Sequence, residues 1–123
     1  TEPLGQRIVE MPDDVEQFEL RDTRSQFTAH VPPGSVARGE GLVRNGGSGV
    51  TTPCATCHGA DLRGLGPIPG IAGRSPTYVV RQLYDFKHGA RAGSGSALMK
   101  PAVEKLGTDE MISIAAYLAT LAP

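Results

Sequence analysis

The chain is poor in the residues that build a large apolar core: it has no tryptophan, and only 5% of its 123 residues are aromatic. It has no run of about 18 consecutive apolar residues, so no integral membrane segment is expected. Basic residues are scattered rather than massed, which argues against a nucleic-acid partner. Paired carboxylates, a nucleophile triad and a phosphate-binding loop are also missing. These absences leave a small domain with a marginal core of its own.

Cysteine is scarce too, and the two cysteines stand close together. The stretch Cys54-Ala55-Thr56-Cys57-His58 is a C-x-x-C-H segment, the spacing at which haem c is attached covalently. Residues three apart share one face of a helical turn, so both thiols can add to the vinyl groups of one haem. His58 then supplies an axial ligand to the iron. One covalent haem c is the predicted cofactor, and it would provide the missing apolar centre.

Other uses of a C-x-x-C pair fit less well. Zinc usually takes four protein ligands, and neither His30 nor His88 belongs to a second ligand pair. A thioredoxin-like redox pair would need a βαβ setting, whereas the downstream sequence carries helix signals and no convincing strand. A disulfide across two intervening residues would close too small a loop to stabilise the fold much.

Charge and proline divide the chain at about residue 33. Residues 1–33 hold seven acidic and three basic residues, net −4, whereas 34–123 are net +3. We interpret 1–33 as an N-terminal extension or interdomain linker and 34–123 as the haem domain. Weak alternation at 7–10 and 17–20 indicates short extended pieces. Opposite charge and a few apolar residues predict that the extension lies along the haem domain.

Helix-start signals recur through 34–123 and predict an all-α fold. Each signal is a serine or threonine ahead of apolar residues at helical spacing. Residues 90–98, rich in glycine and serine, are predicted to be loop. A short turn of helix is predicted from Pro101 to about Lys105. The predicted N-caps of the longer helices are Ser35, Ser75 and Thr108.

The order of these motifs resembles class I cytochrome c. Residues 78–89, YVVRQLYDFKHG, look like the Y-x-x-x-Q-L-x-x-F-x-x-G pattern of bacterial cytochrome c4 and c553-type mono-haem domains. Ile71-Ala72-Gly73 and Ala115-Ala116-Tyr117-Leu118 also fit that group. The resemblance covers 34–123 and implies about four helices around one covalently bound haem. Residues 1–33 look similar to the connector before the second domain of some two-domain cytochromes.

A class I cytochrome needs a sixth iron ligand, and the chain has three methionines. Met11 lies in the extension, and Met111 falls on an apolar stripe, where methionine usually fills core. Taken from the residues alone, Met99 is equally a ligand or a core residue, but the resemblance places the ligand there, in a loop before the last helix. His88 is the rival ligand, although it stands at a predicted helix end, where histidine often caps carbonyls.

The resemblance also implies groups around the haem. The second ring nitrogen of His58 would meet the carbonyl of a proline shortly after the motif, which is Pro67 by spacing, with Pro69 as second choice. Gly39 and Tyr117 would form a close crossing of the first and last helices. Donors to the haem propionates would come from Arg74, Tyr78 and Arg91.

These features together predict a soluble one-electron carrier and not an enzyme. With both axial positions filled, no iron site remains for oxygen or peroxide, and a thioether ligand raises the reduction potential. The resemblance implies a bacterial periplasmic protein, its signal peptide removed, working between a dehydrogenase or reductase and an oxidase or other acceptor. Two alternatives stay open: a haem subunit docked on a larger dehydrogenase, and a small peroxidase or gas-binding sensor in which Met99 is absent from the iron or easily displaced.

Overall fold

The structure is a computed structural model that describes residues 5, 7–13, 27–66, 68–89 and 96–123. Five helices and four short strands lie in these ranges. No helix among them is long and apolar enough to cross a membrane. The elements are β1 (Val9–Pro12), β2 (Phe27–His30), α1 (Ser35–Asn45), α2 (Cys54–His58), β3 (Gly64–Leu65), β4 (Ile68–Pro69), α3 (Pro76–Lys87), α4 (Ser96–Val103) and α5 (Thr108–Ala119).

The last helix is the centre of the fold, because α1 and α3 both pack against α5. All residues from Met111 to Leu118 are buried. The shared core is drawn from every helix around α5 and from the loops between them. Its buried members include Leu42, Val43, Leu62, Val79, Leu83, Val103, Leu106, Met111, Ile114 and Leu118.

The crossing of α1 and α5 depends on a missing side chain at Gly39. A Cβ atom there would lie 1.9 Å from the carbonyl oxygen of Ser113 and 2.8 Å from Cβ of Tyr117. Both distances are far below van der Waals contact, so the two backbones approach closely only because residue 39 is glycine. The predicted crossing at Gly39 and Tyr117 is confirmed.

One predicted N-cap is confirmed and another is wrong. The Ser75 side chain accepts a hydrogen bond from the backbone N–H of Tyr78, with a proline at the first helical position. Ser35, however, is itself the first residue of α1, and Gly34 before it takes a left-handed conformation with φ 79°. The Ser35 hydroxyl is buried and donates to the carbonyl of Pro32 at 2.6 Å. This local bond, to a residue three positions earlier, replaces the expected cap.

Two further helix starts differ from the prediction. Helix α5 begins at Thr108 with Gly107 as its N-cap, so Thr108 is not the cap. Helix α4 begins at Ser96 and contains Pro101, so the predicted loop at 90–98 is wrong for its last three residues, and 90–95 lie outside the described ranges. Residues 97–100 are good helix formers, and a proline removes only one backbone donor.

The four strands form two antiparallel pairs that the sequence reasoning missed. Val9 pairs with His30 in β1–β2, and Gly64 pairs with Pro69 in β3–β4. Strand β1 overlaps the extended piece predicted at 7–10, whereas 17–20 lie outside the described residues. The fold is nevertheless mainly helical, as predicted.

The described part of the N-terminal segment lies along the haem domain. Ile8 packs against the core. The Glu10 carboxylate accepts hydrogen bonds from the hydroxyls of Ser75, at 3.0 Å, and Thr77. Strand β1 is thereby joined to the start of α3. Whether 1–33 is an extension or an interdomain linker stays a prediction.

Candidate functional site

The C-x-x-C-H segment forms a short helix of its own, α2. Pro53 precedes it as N-cap, and Gly59 ends it with φ 93°. Cys54 is half-buried against the core and Cys57 is exposed, and both carry free thiols. Burial raises the pKa of the Cys54 thiol to about 11, so this thiol stays protonated near neutral pH. One helical turn therefore offers a sheltered thiol and an open one.

His58 is buried at the end of α2, with 8% of its surface exposed. Its Nδ1 lies 2.7 Å from the carbonyl oxygen of Pro69. A carbonyl can only accept, so Nδ1 carries the proton and donates. The other ring nitrogen, Nε2, then keeps a free lone pair and is the atom that can bind a metal.

The position of the Pro69 carbonyl is set by the tight β3–β4 turn. A Cβ at Gly64 would lie 2.8 Å from the carbonyl oxygen of Ile68, and one at Gly70 would lie 2.6 Å from that of Arg63. Glycines at both sites let the two strands close on each other and present the Pro69 carbonyl to the imidazole. The acceptor is thus the second-choice proline of the sequence analysis, and Pro67 lies outside the described residues.

The methionines have distinct environments. Met99 lies on α4 rather than in a loop, is half-buried, and packs against the same core as Cys54. Met111 is 2% exposed among apolar side chains, which is the environment of a core residue. Met11 is 52% exposed on β1. Of the three methionines, Met99 is the one that is partly exposed and also packs against the apolar core.

The other predicted site residues are less constrained. Arg74 is exposed, and its Nε donates to the carbonyl of Gly70 at 3.3 Å. Tyr78 is half exposed, and Arg91 lies outside the described residues. The exposed His88 follows the last residue of α3. Its ring lies against the ring of Tyr84, with the ring centroids 4.2 Å apart and the planes tilted by 40°.

Arg44 was missed by the sequence reasoning. Its Nε donates to the hydroxyl of Tyr117 at 3.2 Å, and its Nη1 donates to the carbonyl of Ala60. The guanidinium also stands 5.9 Å from the centroid of the Tyr117 ring. Arg44 therefore ties the α1–α5 crossing to the segment just after His58. Its position in the last turn of α1 was the sequence signal that could have indicated this role.

The donor set fits haem c better than a bare metal ion. Within the described stretches, no group of three or more His, Cys, Asp or Glu residues could hold a metal. What is present is a pair of free thiols one turn apart, followed by a buried imidazole with Nε2 available. Two thiols for thioether bonds and one axial nitrogen are what covalent haem requires.

Comparison with known proteins settles the family. The family model described as cytochrome c matches residues 37–122. The chain belongs to the cytochrome c family. Its cofactor is covalently attached haem c, and it is a haem-binding electron-transport protein, as predicted.

Relatives agree with the cytochrome c4 resemblance. Cytochrome c-554(548) of Halomonas halodenitrificans is 40% identical, over 52% of this chain and 78% of that protein. Cytochrome c4 of Azotobacter vinelandii is 31% identical, over 95% of this chain and 62% of that protein. The crystal structure of reduced cytochrome c4 from Pseudomonas stutzeri has a TM-score of 0.66 at 27% identity, covering 74% of this chain and 50% of that one. The chain thus spans only 62% and 50% of the length of these two cytochromes c4, and the class I fold is confirmed.

Proposed function

We propose that this chain is a periplasmic one-electron carrier, or the carrier domain of a longer cytochrome, with His58 and Met99 as axial ligands of its haem. The observation that carries the proposal is the hydrogen bond from His58 Nδ1 to the Pro69 carbonyl at 2.7 Å. It fixes the imidazole in one tautomer and one orientation, in which Nε2 is the ring nitrogen that would bind the iron.

The remaining groups have complementary tasks. Cys54 and Cys57 would anchor the macrocycle by thioether bonds from one helical turn. Met99 would offer its thioether sulfur from α4, a soft ligand that favours ferrous iron. When bound, the haem supplies a single-electron ferric–ferrous couple. The residues of the chain would hold the haem and limit its contact with water, so that little reorganisation would accompany the change of charge.

Redox partner proteins would approach the exposed side of the haem motif. Cys57 is exposed, and Leu65 on β3 is 59% exposed. A small apolar surface of this kind suits brief complexes rather than permanent ones. We expect a dehydrogenase or reductase as donor and an oxidase or similar protein as acceptor. Arg74, Tyr78 and Arg91 remain the proposed partners of the haem propionates.

A second candidate is a haem subunit held on a larger dehydrogenase. Two relatives favour it by name: the thiosulfate dehydrogenase electron acceptor of Stutzerimonas stutzeri, 38% identical over 67% of this chain, and the cytochrome subunit of sulfide dehydrogenase of Chlorobaculum tepidum, 35% identical over 74%. The segment 1–33 would then take part in docking. Co-purification with a dehydrogenase would separate this role from that of a free carrier.

The ligand assignment is tested by spectroscopy of the purified holo-protein. Met99→Ala should abolish the charge-transfer band of methionine-ligated ferric haem, lower the reduction potential and allow carbon monoxide to bind the ferrous form. Met111→Leu is the matched control, because a volume-conserving core swap usually costs under about 1.5 kcal/mol and leaves the iron unaffected. If the band is lost in Met111→Leu and retained in Met99→Ala, the sixth ligand is Met111 and not Met99. Carbon monoxide binding by the unmodified protein would favour the sensor or peroxidase alternative.

A further inference from the structure

A buried threonine links the two sides of the site. Thr51 is 9% exposed, and its hydroxyl donates to the carbonyl of Ala102 at 2.5 Å. The two residues are 51 positions apart in the sequence. The same oxygen lies 3.1 Å from the carbonyl of Thr52, its neighbour in the loop. The bond to Ala102 is the shorter of the two and is a tertiary contact, whereas the Thr52 carbonyl is a local alternative acceptor.

The Ala102 carbonyl is available because α4 ends one residue later. The last carbonyls of a helix have no partner in the next turn. Here the N–H of Leu106 bonds the carbonyl of Val103 at 3.1 Å and does not reach Ala102. The Thr51 hydroxyl donates to this carbonyl from outside the helix. The bond therefore closes the C-terminal end of α4 against the loop that leads into α2.

One end of this bond lies close in sequence to a proposed haem anchor, Cys54, and the other lies close to a proposed iron ligand, Met99. Thr51 stands three residues before Cys54, and Ala102 stands three residues after Met99 on the same helix. Residues three apart on a helix are neighbours on its surface. We propose that Thr51 is a positioning residue for the sixth ligand, holding the helix of Met99 against the loop of the haem motif. This inference rests on the proposed function, which assigns Met99 to the iron.

The consequence is a change in how often Met99 leaves the iron. Release of the ligand requires α4 to move, and that movement breaks the bond between Thr51 and Ala102. Removing the bond in advance weakens only the ligated state, so the open state becomes more populated. An external ligand that binds the open state gains apparent affinity in proportion to that population.

The test is an imidazole titration of the ferric holo-protein, produced in a host that attaches haem. Thr51→Val keeps the shape of the side chain and removes the donor, and it should bind imidazole about tenfold more tightly than the unmodified protein. Thr51→Ser keeps the hydroxyl and should bind within about twofold. Thr52→Val makes the same chemical change at an exposed neighbour, and it should also stay within about twofold.

Equal imidazole affinity in the Thr51→Val and Thr52→Val variants would overturn the inference. If Thr51→Val does not mature, the unmodified protein supplies a second measurement. Imidazole binding should then accelerate amide exchange at Glu104, one residue beyond the end of α4, whose N–H donates to the carbonyl of Lys100 at 3.0 Å. Unchanged exchange there would also overturn the inference. The Met99→Ala variant separates the two hypotheses. An unaltered ferric spectrum in that variant would refute Met99 as the sixth ligand. An altered spectrum, together with unchanged imidazole affinity in Thr51→Val, would refute only the positioning role of Thr51.

Discussion

Gly39→Ala should destabilise the protein although alanine is the better helix former. The new methyl group would lie 1.9 Å from the carbonyl oxygen of Ser113 and 2.6 Å from its carbon. These are backbone atoms of α5, which cannot rotate aside as a side chain can. Reaching an ordinary contact of 3.4 Å requires α1 and α5 to separate by about 1.5 Å.

The size of the effect follows from two opposing contributions. Overpacking costs about 1–3 kcal/mol, and a backbone clash belongs at the upper end of that range. A gap of about 1 Å already forfeits up to about half of the dispersion energy between facing atoms, so contacts along the whole crossing weaken. Replacing glycine by alanine within a helix stabilises the helix by about 1 kcal/mol, which offsets part of this cost. The net loss should be about 2 kcal/mol, which lowers Tm by about 8–16 °C in a domain near 100 residues.

Gly41→Ala is the matched control on the same helix. A Cβ at Gly41 meets no atom within 4 Å, and its φ is not in the left-handed region. The free energy of unfolding of that variant should rise by up to about 1 kcal/mol, and its Tm should rise by about 4–8 °C. Thermal unfolding of both holo-proteins, followed by far-ultraviolet circular dichroism, measures the difference. Equal or raised stability of Gly39→Ala would refute the close backbone contact on which the reasoning rests.

The remaining predictions concern contacts on the outside of the haem domain. Deleting 1–33 removes the burial of Ile8 and the hydrogen bonds to α3, so thermal unfolding should detect a loss of about 2 kcal/mol while the haem spectrum stays unchanged. An unaltered Tm would make the segment a linker. Arg44→Lys should destabilise the fold by about 1 kcal/mol in urea unfolding, because an ammonium cannot serve the Tyr117 hydroxyl and the Ala60 carbonyl in one plane. A double-mutant cycle with Tyr117→Phe that gave no coupling energy would contradict this assignment.

The sequence specified the haem motif because its chemistry is local. Two thiols and an imidazole on one turn of α2 need no distant partner to be recognised. The close approach at Gly39 was also predictable, since the family resemblance paired it with Tyr117 and a glycine on an apolar face has few other uses. The cap at Ser75 succeeded for the same reason, because its partner, the N–H of Tyr78, is three residues away.

The errors arose where a residue type allows more than one local structure, and the omissions arose where a distant group supplies the partner. Ser35 has the ordinary signal of an N-cap, but its hydroxyl is used by the carbonyl of Pro32 as the chain enters the domain. Pro101 was taken as a helix start, yet α4 continues through it from Ser96 because the residues before it favour helix. Thr51 gave no signal, and Arg44 gave only its position in the last turn of α1, since only the folded chain brings their acceptors near.

The carbonyl at Pro69 has a consequence for how this site tolerates change. The group that orients His58 belongs to the main chain, so it survives any replacement at position 69 that keeps the strand pairing. It does not survive a change of spacing, because one residue more or fewer between positions 58 and 69 would present a different carbonyl, or none, to Nδ1. The tautomer and orientation of the imidazole therefore depend on the length of the connecting loop rather than on any side chain.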